Sequence, residues 1–125
     1  MDSTIFQEIY DVLAVLLPEH WKKVIFRADY TTGSYGMKYY VEFEDGKFVD
    51  CFSLPDISRS QIIQAFISLD KFISANRKEL SEKEKWSVLT MIITPDRAFK
   101  TYFDYTDISE TTVPYLEAWE SKYLS

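Results

Sequence analysis

Along residues 3–17 the apolar side chains Ile5, Ile9, Val12, Leu13 and Leu16 fall at helical intervals, with Phe6, Tyr10 and Leu17 beside them. That spacing predicts an amphipathic helix with one buried stripe. Asp2 or Ser3 can cap its free amides, and Pro18 ends it or bends it sharply by disfavouring helical backbone at Leu17. After Trp21 the period drops to two. Val24, Phe26, Ala28 and Tyr30 share one face of a predicted strand, and Ile25, Arg27 and Asp29 share the other. A turn at Thr32-Gly33 leads into the most regular alternation of the chain. There Tyr35, Met37, Tyr39, Val41 and Phe43 point one way, and Lys38, Tyr40, Glu42 and Glu44 the other. Asp45-Gly46 signals a hairpin, because a primed turn needs positive φ at its centre, and "KFVDCFSL" returns as a third strand.

Pro55 and Asp56 break the sheet, and "SRSQ" at 58–61 reads as a capping box for a second helix. Ile62, Phe66, Leu69 and Ile73 form its stripe, Ile63 and Phe72 broaden it, and it fades near Asn76 in the charged run "NRKELSEKEK". "WSVLTMIIT" is apolar on both faces and is expected to be a covered, central strand. "TPDR" turns the chain, and "AFKTYFDY" pairs back with Phe99, Phe103 and Tyr105 on the core side and Lys100, Tyr102 and Asp104 outward. Residues 113–123 form a terminal helix bearing Tyr115, Leu116, Trp119 and Tyr123. The order α-β-β-β-α-β-β-α, with tight turns between neighbouring strands, defines an α+β fold. An antiparallel sheet of about five strands with helices packed on it is expected.

Only three glycines and four prolines punctuate the 125 residues, and no repeat or linker divides them, so a single domain spanning 1–125 is expected. Hydrophobic residues at 46% argue against a disordered chain. No apolar run approaches the roughly 18 residues of a membrane span. "IFQEIYDVLAVLL" lacks a basic leader, so neither a membrane nor a secretory signal is expected. The lone Cys51 allows no intrachain disulfide, and a cytoplasmic location follows as the expectation.

Charge adds more. Twenty acids against fourteen bases give a net charge of −6. Such a chain repels nucleic acid and is steered towards basic partners. Residues 42–56 carry five acids against Lys47, and residues 96–125 carry six acids against three bases. Aromatic strands can stack nucleic-acid bases only with basic neighbours for the phosphates, and here the neighbours are acids.

Recognisable catalytic chemistry is missing. His20 in "PEHWKK" has no flanking signature that would pair it with Cys51, and it reads as a surface or helix-end histidine. No metal spacing, phosphate-cradling glycine loop, dinucleotide fingerprint or nucleophile elbow occurs, so no metal, cofactor or enzymatic activity is expected. Paired acids such as Asp104 with Asp107, or Glu42 with Glu44, could in principle do acid–base work, but solvated acids flanking hairpins are the commoner case.

Several stretches together resemble one family. They are "IYDVL…LLPEHWKKV", a tyrosine-rich second strand with an acidic glycine turn, and "LP" before the middle helix. "WSVLTMIIT", "FKTYFDYTD" and "EAWESKYL" continue the likeness over nearly the whole chain. The chain resembles the YezG-like immunity proteins, also described as a staphylococcal tandem paralogue family. It departs from them at one turn, where "TPDRAFK" stands in place of a turn that usually carries glycine. The resemblance implies a small cytoplasmic antidote that binds the toxic C-terminal domain of a polymorphic toxin delivered between bacteria, often a nuclease.

Such a toxin binds phosphates through a basic cleft, which an acidic inhibitor can occlude 1:1. On that basis the candidate interface comprises Tyr40, Glu42, Glu44, Asp45, Tyr102, Asp104, Tyr105 and Asp107. Tyrosines interleaved with acids make good anchors. Each also has a plainer role open to it: Phe99, Phe103 and Tyr105 as core, Asp107 as a cap, Trp21, Trp86 and Trp119 as packing. A non-catalytic adaptor holding a peptide or small ligand is the competing function, and an enzyme with an unrecognised carboxylate site is a third.

Overall fold

In the computed structural model, which describes residues 4–125, three helices flank one five-stranded antiparallel sheet. The elements are α1 (Thr4–Ala14), β1 (Trp21–Thr31), β2 (Ser34–Phe43), β3 (Phe48–Asp50), α2 (Arg59–Lys78), β4 (Val88–Ile93), β5 (Phe99–Asp104) and α3 (Thr112–Tyr123). This is the expected α-β-β-β-α-β-β-α order. The sheet runs β3-β2-β1-β4-β5, so β1 is the central strand and β4 its inner neighbour. The capping positions proposed for α1, Asp2 and Ser3, lie outside the described residues.

The alternation read from β1 and β2 is the one the sheet uses. Val24, Phe26, Ala28, Tyr30, Met37, Tyr39 and Val41 point into the main core, where Ile5, Ile9 and Leu13 of α1 and Ile62, Phe66, Leu69 and Ile73 of α2 meet them. Burial of these side chains contributes roughly 1.5–3 kcal/mol each relative to exposure, which makes the two stripes the main reason that α1 and α2 dock. Polar groups that enter this core are paired. The Tyr39 hydroxyl donates to the Leu16 carbonyl at 3.3 Å, and that of Tyr30 donates to Asp70 at 2.8 Å.

Several local expectations need correction. α1 stops at Ala14, short of Leu17, and Leu16 and Leu17 close a turn onto Leu13 and Ala14. "KFVDCFSL" forms only a three-residue strand, because the Asp50 carboxylate accepts the Phe52 amide at 2.8 Å and turns Cys51–Ser53 into a 3₁₀ segment. α2 keeps its capping box at Ser58 and Gln61 but continues past Asn76 to Lys78, and Ile63 faces outward. There Arg77 earns helical residence by donating its Nε to the Trp86 carbonyl at 2.7 Å while lying over the Tyr30 and Trp86 rings.

The β4–β5 turn shows how this chain manages without the glycine. Arg97 takes a left-handed backbone, φ 66°, which costs a side chain of this kind on the order of 1 kcal/mol. Asp96 accepts from the Ala98 amide and the Thr94 hydroxyl, and the guanidinium of Arg97 lies 5.7 Å from the Tyr10 ring centre. The hairpin tip therefore anchors onto α1.

One glycine is fixed by contact. A Cβ at Gly36 would sit 2.5 Å from Oδ1 of Asp29, the residue opposite it on β1. Gly36→Ala is expected to lower stability by about 1–3 kcal/mol, as overpacking does. Urea unfolding checks this, and an unchanged midpoint would mean that the Asp29 side chain moves aside freely.

The largest departure concerns the second face of the sheet. That face is covered, by α3. Trp119 packs on Ile25 and Tyr40, with Tyr115, Tyr123, Leu124, Phe48 and Ile92 around them. Trp119 donates its indole N–H to Thr90 Oγ1 at 2.8 Å and stacks against Tyr40 with ring centres 5.7 Å apart. Tyr40, expected to point outward, is only 6% exposed.

Candidate functional site

The ladder register places the eight candidate interface residues in two separate patches and one buried position. Asp104 shares a row with Val88, Asp29 and Gly36. Glu44 lies eight residues beyond Gly36, just past the far end of β2. Eight residues of strand at ~3.3 Å and three interstrand gaps of ~4.8 Å put the two acidic groups roughly 30 Å apart. They occupy opposite corners of the sheet.

At the β2–β3 corner, Glu44 and Asp45 are exposed and Glu42 is not. Glu42 lies on the α3 side of the sheet, within 3.9 Å of the Lys23 ammonium. Asp45 accepts the Lys47 amide at 3.0 Å, which holds the turn that Gly46 opens with φ 80°. Both of these acids have a structural occupation. Tyr40 is closed off beneath Trp119, and the Lys38 ammonium, which also pairs with Asp50, lies 5.6 Å from its ring centre.

The remaining four follow one another along the chain at the end of β5. β5 ends at Asp104 because that carboxylate accepts the Thr106 amide at 3.1 Å, while its backbone carbonyl accepts both the amide and the hydroxyl of Ser87. The chain then leaves the sheet, so Tyr105, expected in the core along with Phe99 and Phe103, projects outward at 58% exposure. Phe99 and Phe103 do pack against the core. Tyr102 is 46% exposed and leans on Tyr123 of α3 at 6.1 Å between ring centres. Asp107 accepts from the amide and hydroxyl of Ser109, as a capping aspartate would. These bonds hold its carboxyl below the usual range, so it stays ionised.

Two depressions flank this corner. One, of about 280 Å³, lies between β5 and α3, with Tyr102, Asp104, Tyr115, Trp119 and Lys122 in its wall. Tyr115 hydrogen-bonds to Asp104 there, and burial and that carboxylate push its hydroxyl pKa well up. The other, of about 370 Å³, gathers Tyr105 and Asp107 with Arg77, Lys85 and Glu82. Tyrosines, carboxylates and a few cations are thus divided between two depressions, Tyr102 and Asp104 in one and Tyr105 and Asp107 in the other.

Burial pushes the Cys51 thiol up to about 11, and that side chain is fully enclosed, whereas His20 is exposed beside Glu19. Among the described residues no group of His, Cys, Asp or Glu is placed to hold a metal ion, and no helix is long and apolar enough to cross a membrane.

The terminal helix and the packing role of Trp119 were expected; what sequence reasoning missed was that α3 covers the face carrying Tyr40. The signal was there: Tyr115, Trp119 and Tyr123 recur at intervals of four, and such a stripe needs a face to bury. Ile25 and Ile92 on the second side of β1 and β4 supply it.

Fold and corner together define a small α+β domain that displays tyrosines and carboxylates at one end of its sheet. The chain belongs to the YezG-like immunity protein family, whose defining pattern matches residues 3–125. Membership gives it the general role of an immunity protein, which binds a toxin partner. No curated protein matches the chain.

Proposed function

We propose that this protein neutralises a cognate toxin domain by docking the β5 corner, residues 102–107, over the toxin's active or substrate-binding surface. Tyr105 is the observation that carries this. A tyrosine 58% exposed at a strand end, between two carboxylates, has no packing role that explains it. Tyrosines of this kind dominate interface hot spots, and the neighbouring acids would steer them to a basic cleft. A nuclease presents such a cleft, because it must bind phosphates, and the net charge of −6 complements it. Inhibition on this reading is by occlusion, 1:1, in the cytoplasm, and requires no cofactor.

The β2–β3 corner becomes the secondary candidate. Glu44 and Asp45 are exposed to a partner, Asp45 while it holds its turn, whereas Tyr40 can meet one only if α3 moves. Association with the toxin domain is expected to slow by about tenfold or more between low and high salt, as electrostatically steered encounters do. At physiological ionic strength, where charges roughly 30 Å away are screened, Asp107→Lys should reduce the on-rate and Glu44→Lys with Asp45→Lys should leave it nearly unchanged. Stopped-flow binding checks both. The reverse ranking would move the interface to the opposite corner.

The groove between β5 and α3 favours one alternative, an adaptor that holds a short peptide against Tyr102 and Tyr123. Its binding would depend little on salt.

A further inference from the structure

Beneath the N-terminal half of α3, on the side away from β5, lies a cavity of about 280 Å³ between the helix and the β1–β2 hairpin. Arg27 and Asp29 of β1 line its floor, and Ile108, Thr112 and Leu116 contribute from the α3 side. Arg27 is 5% exposed and Asp29 8%. Two opposite charges are therefore more than nine-tenths buried at one cavity wall.

Neither charge is fully answered by the protein. Nε and Nη1 of Arg27 have no acceptor. The guanidinium lies 4.8 Å from the Trp119 ring centre, and such a stacking contact lowers the cost of burial without supplying the in-plane acceptors that guanidinium donors need. Asp29 takes the Gly36 amide, which leaves most of its acceptor sites unused. Burial raises its carboxyl above the ordinary range, and the Arg27 charge and the Gly36 amide only partly offset this. An ammonium group at Asp29 would reverse that penalty. Buried polar groups left in this condition cost on the order of 1–3 kcal/mol each, so the pair marks a place for another molecule's polar atoms.

The two charges also fix the kind of molecule. They cancel, so a plain anion would meet Asp29 and a plain cation would meet Arg27. Positions i and i+2 on one strand face have Cα atoms about 7 Å apart, and both side chains line this one cavity, so a single small molecule can meet both. Ile108 and Leu116 offer apolar surface for a side chain. We propose that the cavity between α3 and the β1–β2 hairpin binds a small zwitterion, a free α-amino acid, with its carboxylate on Arg27 and its ammonium on Asp29. Bound there, the ligand fastens the first turns of α3 to the central strand.

The test is a titration of the intact protein with each of the free amino acids, followed by amide NMR. Acetate, phosphate and methylamine serve as single-charge probes. At least one amino acid is expected to shift the Gly36 and Leu116 amides saturably, and each single-charge probe to bind at least ~10-fold more weakly. Arg27→Met and Asp29→Asn should each weaken the amino acid at least ~10-fold while the spectrum stays that of a folded protein. Should either variant fail to fold, Leu116→Phe narrows the cavity without touching the charges and should also abolish binding. The proposal is overturned if no amino acid moves these amides, so that the cavity holds only water. It is equally overturned if acetate or phosphate binds as tightly as the best amino acid, or if the variants bind like the parent.

Discussion

Truncating Trp119 to alanine lowers the unfolding free energy by about 3–5 kcal/mol, the range for removing a buried tryptophan. The size of this effect follows from how much hangs on one side chain. Trp119 is the only fully buried residue of α3 among those described, and the helix is otherwise held by half-buried Tyr115, Leu116 and Tyr123. Its Ncap residue, Thr111, makes no side-chain cap bond. Without the indole, Thr90 loses the donor that Trp119 supplies, and Arg27 loses the ring that shields it. Calorimetry and hydrogen exchange together distinguish the two ways this can appear. Loss of protection confined to residues 112–123 and their contacts on β1 and β4 marks a helix that undocks alone. Uniform loss marks a single cooperative unit, and a stability within ~1 kcal/mol of the parent would show that α3 is dispensable to the fold.

Tyr105→Ala acts on the other property and leaves stability alone. Its side chain is mostly in water, so the melting temperature is expected to hold within about a degree or two. Affinity for the toxin domain should fall by roughly 2 kcal/mol or more, about 30-fold, if Tyr105 is a hot spot at the centre of the interface. Most of that change belongs in the dissociation rate, because removing an anchor leaves the steering charges in place. Tyr102→Ala is the instructive companion. Tyr102 also rests on Tyr123, so it should cost some stability as well as affinity. A Tyr105→Ala protein that binds and protects like the parent would remove residues 102–107 from the interface.

How legible all this was depended on the range of the interaction. The faces of β1 and β2, the capping box of α2 and the two apolar stripes could be read directly, because each is set by spacing within a dozen residues. Where a side chain's fate was decided by a distant element, local pattern failed. Tyr40 alternates like an outward residue and is buried by a helix some eighty positions later. Tyr105 continues the core side of β5 in register, yet a carboxylate one residue earlier ends the strand. The candidate interface was read from composition, and composition could not show that its acids lie at opposite corners. Arg27 and Asp29 drew notice only as charges on a strand, since nothing local says that a helix closes over them.

The central place of β1 has a consequence for how the molecule comes together. β1 pairs with β2 across a two-residue turn, but with β4 only across some sixty residues, Ile25 against Ile92. The β1–β2–β3 meander and the β4–β5 hairpin can each form locally, on microsecond scales, and must then find each other with α2 folded between them. That joining sets the folding rate, since closing a long loop precedes the contacts that repay it. Until it happens, β1 shows an unpaired edge in which Val24, Ile25, Phe26, Ala28 and Tyr30, all buried in the finished fold, are exposed beside Arg27 and Asp29. A chain with that waiting state aggregates when it is made faster than the two halves can meet.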